Sequence, residues 1–167
     1  MHKHKNVRIL GLDPGITRTG FAVIERSGAT LRALSFGCIN TERVRGYHAR
    51  LLRLERELAA ILAKYHPGIA AIEKLFYCKN ISTAIGVGQA RGIILLTLLK
   101  RGLRLEEFTP QQIKLTVAGY GKADKKQIQR MTQLHFHLAA PARPDDAADA
   151  LATALTASVL MRRPTQP

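Results

Sequence analysis

With 167 residues, 46% of them hydrophobic and only 5% aromatic, the chain is long enough for one compact domain with an aliphatic core. This composition excludes a chain that is disordered throughout. Lys and Arg number 26 against 12 Asp and Glu, so the formal net charge is +14. That excess favours a polyanionic partner such as nucleic acid over a merely solvated surface.

The cysteines and the apolar runs limit where the protein acts. Cys38 and Cys78 have no second cysteine nearby, which excludes a zinc site and a disulfide framework, so we expect two buried free thiols. The apolar run 93–99 is too short to cross a bilayer, and no secretory segment follows the basic N-terminus. We therefore expect a cytoplasmic protein with a single domain over 1–167, whose ends, 1–6 and 163–167, are flexible tails.

Three short strands are predicted at the start of the chain. Residues 7–12 form an apolar run that ends at the turn sequence Asp13-Pro14-Gly15, and 20–24 and 31–39 have the composition of two further strands. Ser27-Gly28 predicts the hairpin turn between the second and third strands. The pattern therefore predicts an antiparallel meander.

Helices and strands alternate through the rest of the chain. In 46–65, apolar residues recur three and four apart, which predicts a helix that Pro67-Gly68 ends. Similar signals predict strands at 69–72 and 103–108, and helices at 80–100, from Pro110, at 124–138 with Ile128, Met131 and Leu134 facing inward, and at 145–161. This order predicts an α/β fold, in which helices flank a mixed sheet.

Two glycines share one face of the helix predicted at 80–100. Gly88 and Gly92 are four residues apart, so another backbone could approach closely along that face. Tight packing within the same domain is the simpler interpretation, and a second chain is the alternative.

Four acidic residues occur where separate elements of this fold would converge. Asp13 and Glu73 each follow an apolar strand, and strand ends beside helices are where α/β folds build their sites. Asp146 and Asp149 are three apart in the last helix, so their side chains point the same way. Repulsion among four carboxylates would be relieved by hard divalent cations, with Mg²⁺ or Mn²⁺ favoured over zinc. Two such ions ~4 Å apart would suit phosphodiester hydrolysis.

Each of these residues also has a simpler interpretation. Asp13 suits a turn before Pro14, and Glu73 could pair with a neighbouring base such as Lys74. Asp145, Asp146 and Asp149 suit the first turn of a helix because they face its positive end, with Asp145 as the N-cap.

Sequence motifs along nearly the whole chain, taken in order, resemble one known family. They are GLDPG at 11–15 with TG at 19–20, AIEKLF at 71–76, KN at 79–80 with GQARG at 88–92, TP at 109–110 with IKLTV at 113–117, GYG at 119–121 with ADK at 123–125, and DAADALA at 146–152. This order is similar to that of the RuvC family of Holliday junction resolvases.

The resemblance implies an RNase H-like fold with a mixed five-stranded sheet, and a homodimer that nicks two strands of like polarity in a four-way DNA junction during recombination and repair. It implies that two Mg²⁺ ions, for which Mn²⁺ could substitute, are held by the catalytic carboxylates Asp13, Glu73, Asp146 and Asp149. Lys125 would lie near the reacting phosphate. The DNA-binding residues that it implies are Phe76, as a base-stacking aromatic, with Lys79, Asn80, Lys114, Lys122 and Lys125.

Some points of the resemblance remain open. Asp145 could reach Asp149 by helix spacing as well as Asp146 can, and the motif favours Asp146. Without the resemblance, Phe76 would be assigned to the core. The family also implies that the RuvA and RuvB branch-migration proteins are partners.

Three other functions fit parts of the sequence. A sugar-kinase-like or actin-like ATPase shares the loop pattern from Asp13 to Gly20, but it needs two related domains. A non-catalytic junction or RNA binder would keep the lysines and have no use for the four acids. An RNase H that cuts RNA–DNA hybrids would share the fold and the metal chemistry.

Overall fold

The structure, a computed structural model, describes residues 6–74 and 81–161. The tails expected at the two ends fall outside these residues, apart from Asn6. The described elements are β1 (Val7–Asp13), β2 (Arg18–Ser27), β3 (Thr30–Asn40), α1 (Tyr47–Tyr65), β4 (Ile69–Glu73), α2 (Ile81–Lys100), β5 (Arg104–Phe108), α3 (Pro110–Ala118), α4 (Lys125–His135) and α5 (Asp145–Leu160).

The five strands form a mixed sheet in the order β3-β2-β1-β4-β5. The first three strands are the predicted antiparallel meander, while β4 runs parallel to β1 and β5 runs parallel to β4. The sequence pattern predicted this α/β arrangement correctly. Because β1 and β4 are parallel neighbours in the middle of the sheet, their carboxyl ends lie side by side.

Helices cover both faces of the sheet. Alternate residues of β1 face opposite sides, so Leu10 packs with α1 and α2, while Ile9 packs with α3, α4 and α5. Both layers of the core are largely aliphatic, as expected, although Phe108 and Phe136 are also buried. None of the helices in the described ranges is long and apolar enough to cross a membrane.

Several local expectations were wrong. Ser27 pairs with Thr30, so the hairpin turn is Gly28-Ala29 rather than Ser27-Gly28, and Gly28 supplies the positive φ of 62° that the turn requires. Leu134 does not face inward but is 50% exposed, because the third position of an i, i+3, i+6 series turns away from the buried face of α4, where Thr132 lies instead. Cys38 is only half-buried, and Cys78 lies outside the described residues.

The glycine face of α2 is open in the part of the chain that the structure describes. Among residues 6–74 and 81–161, nothing lies within 4 Å of a Cβ atom added to Gly88 or Gly92. The interpretation of this face as tight packing against these residues is therefore wrong.

Candidate active site

The parallel pairing of β1 and β4 brings two acidic residues together. Leu12 is in register with Ile72, so Asp13 and Glu73 follow on adjacent strands at the same edge of the sheet. The strand ends are fixed from two sides: Lys74 donates its backbone N–H to the Phe108 carbonyl over 2.8 Å, and Asp13 pairs with Gly20 of β2. Asp13 and Glu73 are therefore positioned by the centre of the fold.

Helix α5 brings the other two acids to this edge. The helix packs closely on β1 and β2, because a Cβ atom on Gly20 would overlap the Asp146 carbonyl and one on Gly11 would overlap the Ala150 carbonyl. Only glycine permits this distance between the helix and the sheet. The N-terminal turns of α5, with Asp146 and Asp149, thereby face Asp13.

These carboxyl groups shift one another's pKa. Burial is the largest cause that raises the pKa of Asp13 from 3.8 to about 7, and repulsion from Asp149, Glu73 and Asp146 contributes the rest of the rise. Burial, and then the charge of Asp149, raise the pKa of Glu73. Burial also raises the pKa of Asp149. The site therefore disfavours its own negative charge when no cation compensates it.

Two basic side chains neutralise part of this charge. Lys125, the first residue of α4, places its Nζ 3.5 Å from Asp149 and 3.3 Å from Asp145. Partial burial lowers the pKa of Lys125, but the charges of Asp149 and Asp145 outweigh that effect and raise it overall. Arg18 binds Asp146 with 2.7 Å between Nη2 and Oδ2.

The four carboxylates lie near one another, but they are not yet arranged to coordinate a single metal ion. Within residues 6–74 and 81–161, no three Asp, Glu, His or Cys side chains are already arranged to hold one metal ion. The donor set nevertheless suits a hard divalent cation, because it consists of carboxylate oxygens whose charges repel one another. Lys125 and Arg18 occupy carboxylate oxygens that such an ion would use.

A cleft of about 220 Å³ opens beside the acids. Glu73 and Asp149 form its acidic wall, Lys114 and Lys125 line it with positive charge, and Ile113 and Ile128 contribute apolar surface. A larger pocket of about 370 Å³ lies between α3 and α4, but its acidic residue, Asp124, is used as the N-cap of α4. The smaller cleft is therefore the one lined by acidic and basic side chains that are candidates for catalysis.

The simpler interpretations of the acids can now be judged. Glu73 makes no ion pair with Lys74 among the described residues and instead lies within the electrostatic reach of Asp149 and Lys114. Asp145 is not the N-cap of α5, because Pro144 holds that position. Instead, Asp145 pairs with Lys125, Arg143 and Gln129.

The predicted DNA-binding residues are distributed over three places. Lys114 and Lys125 line the cleft, and Lys122 is exposed in the turn before α4. Phe76, Lys79 and Asn80 lie outside the described residues.

Sequence reasoning missed two arginines at the site. Arg18 was absent from the expected residues because nothing in its spacing tied it to Asp146. Arg91 of α2 donates from Nη1 to the Glu73 carbonyl over 2.8 Å and also pairs with Glu107, so it fixes the end of β4. Its place within the GQARG motif was the available signal.

Comparison with known proteins decides between the possible families for this arrangement. The family model described as "Crossover junction endodeoxyribonuclease RuvC" matches residues 9–157, a range that contains all four acids. The chain belongs to the RuvC family.

RuvC relatives are similar over nearly their full length. A "Crossover junction endodeoxyribonuclease RuvC" of Roseiflexus sp. is 47% identical over 148 residues, covering 89% of this chain and 88% of the relative. The protein of the same name from Chloroflexus aggregans is 46% identical over 160 residues, covering 93% and 98%.

Solved RuvC structures confirm the RNase H-like fold. The structure of T. thermophilus RuvC in complex with Holliday junction substrate matches with a TM-score of 0.86 at 31% identity, covering 91% of this chain and 93% of that one. The yeast mitochondrial resolvase Ydc2 matches with a TM-score of 0.63 at 13% identity, which supports the fold alone.

Proposed function

We propose that this chain cuts four-way DNA junctions by hydrolysing phosphodiester bonds at the cleft beside Asp13, with Asp13, Glu73, Asp146 and Asp149 as the ligands of divalent metal ions. The chain is an endodeoxyribonuclease that resolves Holliday junctions, as its membership of the RuvC family establishes. The residues and the ions are the part proposed here.

The observation that carries the ligand assignment is the burial of acids which repel one another at the end of two central strands. Burial together with the three neighbouring carboxyl groups raises the pKa of Asp13 to about 7, and bound cations would relieve the repulsion that Lys125 and Arg18 neutralise only in part. We propose Mg²⁺ for this role, with Mn²⁺ as a substitute and two ions per site. Ions bound there would polarise the phosphoryl group and activate water.

The lysines that line the cleft would bind phosphate groups of the DNA. Lys125 lies against the acids, where a scissile phosphate would enter, and Lys114 lies on the same wall. Phe76, Lys79, Asn80 and Lys122 are proposed as further DNA contacts on the strength of the family motifs. The net charge of +14 supplies long-range attraction to the junction.

We also propose that the chain acts as a homodimer through α2. An apolar stripe at helical spacing lies exposed on this helix: Ile85 is 58% exposed, Leu96 52% and Leu99 59%. Gly88 and Gly92 lie in the same stripe and leave open space beside it. An apolar, close-approach surface of this kind suits a second copy related by two-fold symmetry, which would give two active sites for two strands. RuvA and RuvB are proposed as partners from the family resemblance alone.

A cleavage assay tests the proposal. Purified protein is incubated with a synthetic four-way junction and Mg²⁺, and symmetric nicks are expected. Asp13→Asn should abolish cleavage while the gel-shift affinity for the junction stays within about two-fold, because the change removes a carboxylate and no positive charge. Asp124→Asn, at the helix cap outside the cleft, is the matched control and should still cut.

Three other outcomes would overturn all or part of the proposal. Binding without nicks under Mg²⁺ and Mn²⁺, across several junction sequences, would indicate a non-catalytic binder. Preferred cleavage of RNA–DNA hybrids by a monomeric protein would indicate an RNase H. Loss of junction binding in Asp13→Asn would show that Asp13 has a structural role.

A further inference from the structure

Arg18 contacts a carboxylate oxygen of Asp146 that a metal ion bound there would use. The guanidinium Nη2 lies 2.7 Å from Asp146 Oδ2, at the edge of the proposed metal site. Arg18 is the first residue of β2, and the preceding loop is held in place by Thr19, whose hydroxyl donates to the Gly15 carbonyl over 2.6 Å, and by Thr41, whose hydroxyl donates to the Ile16 carbonyl over 2.6 Å. The backbone that presents Arg18 is therefore fixed.

The side chain of Arg18, in contrast, is held only by partly exposed contacts with Asp146 and the Cys38 thiol. It is 45% exposed, and its carboxylate partner is 26% exposed. Exposed ion pairs contribute little to stability, so a divalent ion can displace the guanidinium from Asp146. While Arg18 remains in place, however, its charge and its contact with Oδ2 both oppose the binding of an ion there.

A DNA phosphate offers Arg18 an alternative partner. A guanidinium group can bind a phosphate in the same bidentate geometry in which it binds a carboxylate. Backbone phosphates of a strand bound at the acids would pass near Asp146 and therefore near Arg18, which contacts it.

We propose that Arg18 is an exchangeable counter-ion, which pairs with Asp146 in the free protein and moves to a DNA phosphate when a divalent ion takes its place. The inference rests on the proposed function, because it treats Asp146 as a metal ligand. Arg18 thereby couples the two binding events: DNA favours the metal at Asp146, and the metal favours the contact with DNA.

Metal binding to the free protein tests the first half. Mn²⁺ is titrated into the full chain without DNA, and the bound ion is counted by electron paramagnetic resonance. Arg18→Gln should bind Mn²⁺ at the site that includes Asp146 about five-fold more tightly than the parent, because the competing positive charge is gone. Arg143→Gln, which removes an equal charge from the pair with Asp145, should change the affinity less than two-fold.

The outcomes separate this inference from the proposed function. If Asp146→Asn leaves Mn²⁺ binding unchanged, the proposed ligand set is wrong. If Asp146→Asn weakens binding while Arg18→Gln has no effect, or has no more effect than Arg143→Gln, the ligand set stands and the role of Arg18 is overturned.

Junction binding tests the second half. With Ca²⁺ present and the junction verified as uncut, the slope of log affinity against log salt should be shallower by about 0.9 in Arg18→Gln than in the parent, which corresponds to one lost phosphate contact. In EDTA, the two slopes should agree because Arg18 stays on Asp146. Equal slopes in Ca²⁺ would overturn the transfer to phosphate.

Discussion

Burying a carboxyl group at position 13 has a consequence that can be measured in the metal-free protein. The pKa of Asp13 is about 7 in the folded chain against 3.8 as the ordinary value. The folded state therefore holds this proton more tightly than the unfolded chain does. The stability that comes from the bound proton is fully present below pH 3.8 and is lost as the pH rises to about 7.

We expect Asp13→Asn to be more stable than the parent at pH 8 in EDTA. The amide keeps the shape of the side chain and carries no charge, so the variant should exceed the parent in free energy of unfolding by about 1 kcal/mol or more, since each pKa unit corresponds to ~1.4 kcal/mol. Urea denaturation from pH 4 to pH 8 measures the difference, which should grow up to pH 7 and then level off. A difference that is constant with pH would contradict the raised pKa.

Lys114 provides a second test at a single side chain. Lys114→Ala should weaken junction binding and make its salt dependence shallower by about 0.9 in the slope, because one phosphate contact is lost. Lys64→Ala, on helix α1 at the opposite face of the sheet, removes the same charge and should leave the slope unchanged. Fluorescence anisotropy at 50 to 200 mM salt measures both variants, and equal effects would assign Lys114 to the general surface charge.

The sequence pattern predicted that four carboxylates converge, as they do in the structure, but it did not predict the arginine that pairs with one of them. Asp13 and Glu73 could be found because each follows an apolar strand, and Asp146 and Asp149 because they are three apart in one helix. The partnership of Arg18 with Asp146 depends on how α5 crosses the start of β2, which is a tertiary distance that no local spacing contains. The same is true of Arg91 and the Glu73 carbonyl.

Among the elements, α5 and its contact with β1 and β2 matter most for the site. Gly20→Ala should destabilise the chain by about 2 kcal/mol or more, because its Cβ atom would overlap the Asp146 carbonyl. Gly68→Ala, where a Cβ atom meets nothing within 4 Å, is the matched control and should stay within ~0.5 kcal/mol. Thermal and urea unfolding measure both variants. Equal losses would mean that the helix can move away from the sheet without cost.

The periodicity of apolar residues predicted which strands and helices form, but it predicted their ends less accurately. Four of the five strands extended further than the apolar runs, since backbone pairing continues through polar residues such as Arg18 and Asn40. The exception is β5, which begins at Arg104, one residue later than predicted. The end of α4 was placed too late, at residue 138, whereas the helix ends at His135 and Phe136 is buried directly after it. The spacing of apolar residues indicates which face of an element is buried, but it does not indicate where the backbone hydrogen bonding of that element ends.

For the molecule as a whole, the exposed stripe on α2 is the surface proposed for assembly. Leu96→Glu should convert the proposed dimer into a monomer, because it places a charge in an apolar interface. Leu52→Glu, at a leucine of α1 that is 60% exposed, should leave the assembly unchanged. Sedimentation velocity measures both variants, with circular dichroism as the check on folding. A parent protein that sediments as a monomer at micromolar concentration would contradict the dimer.

Arg91 links this surface to the chemistry. It belongs to the helix that carries the stripe, yet its side chain reaches the last residue of β4 and the carboxylate of Glu107. A rotation of α2 during subunit association would therefore be transmitted by one side chain to the backbone of a proposed metal ligand. Assembly and the catalytic alignment of each subunit would then be mechanically connected.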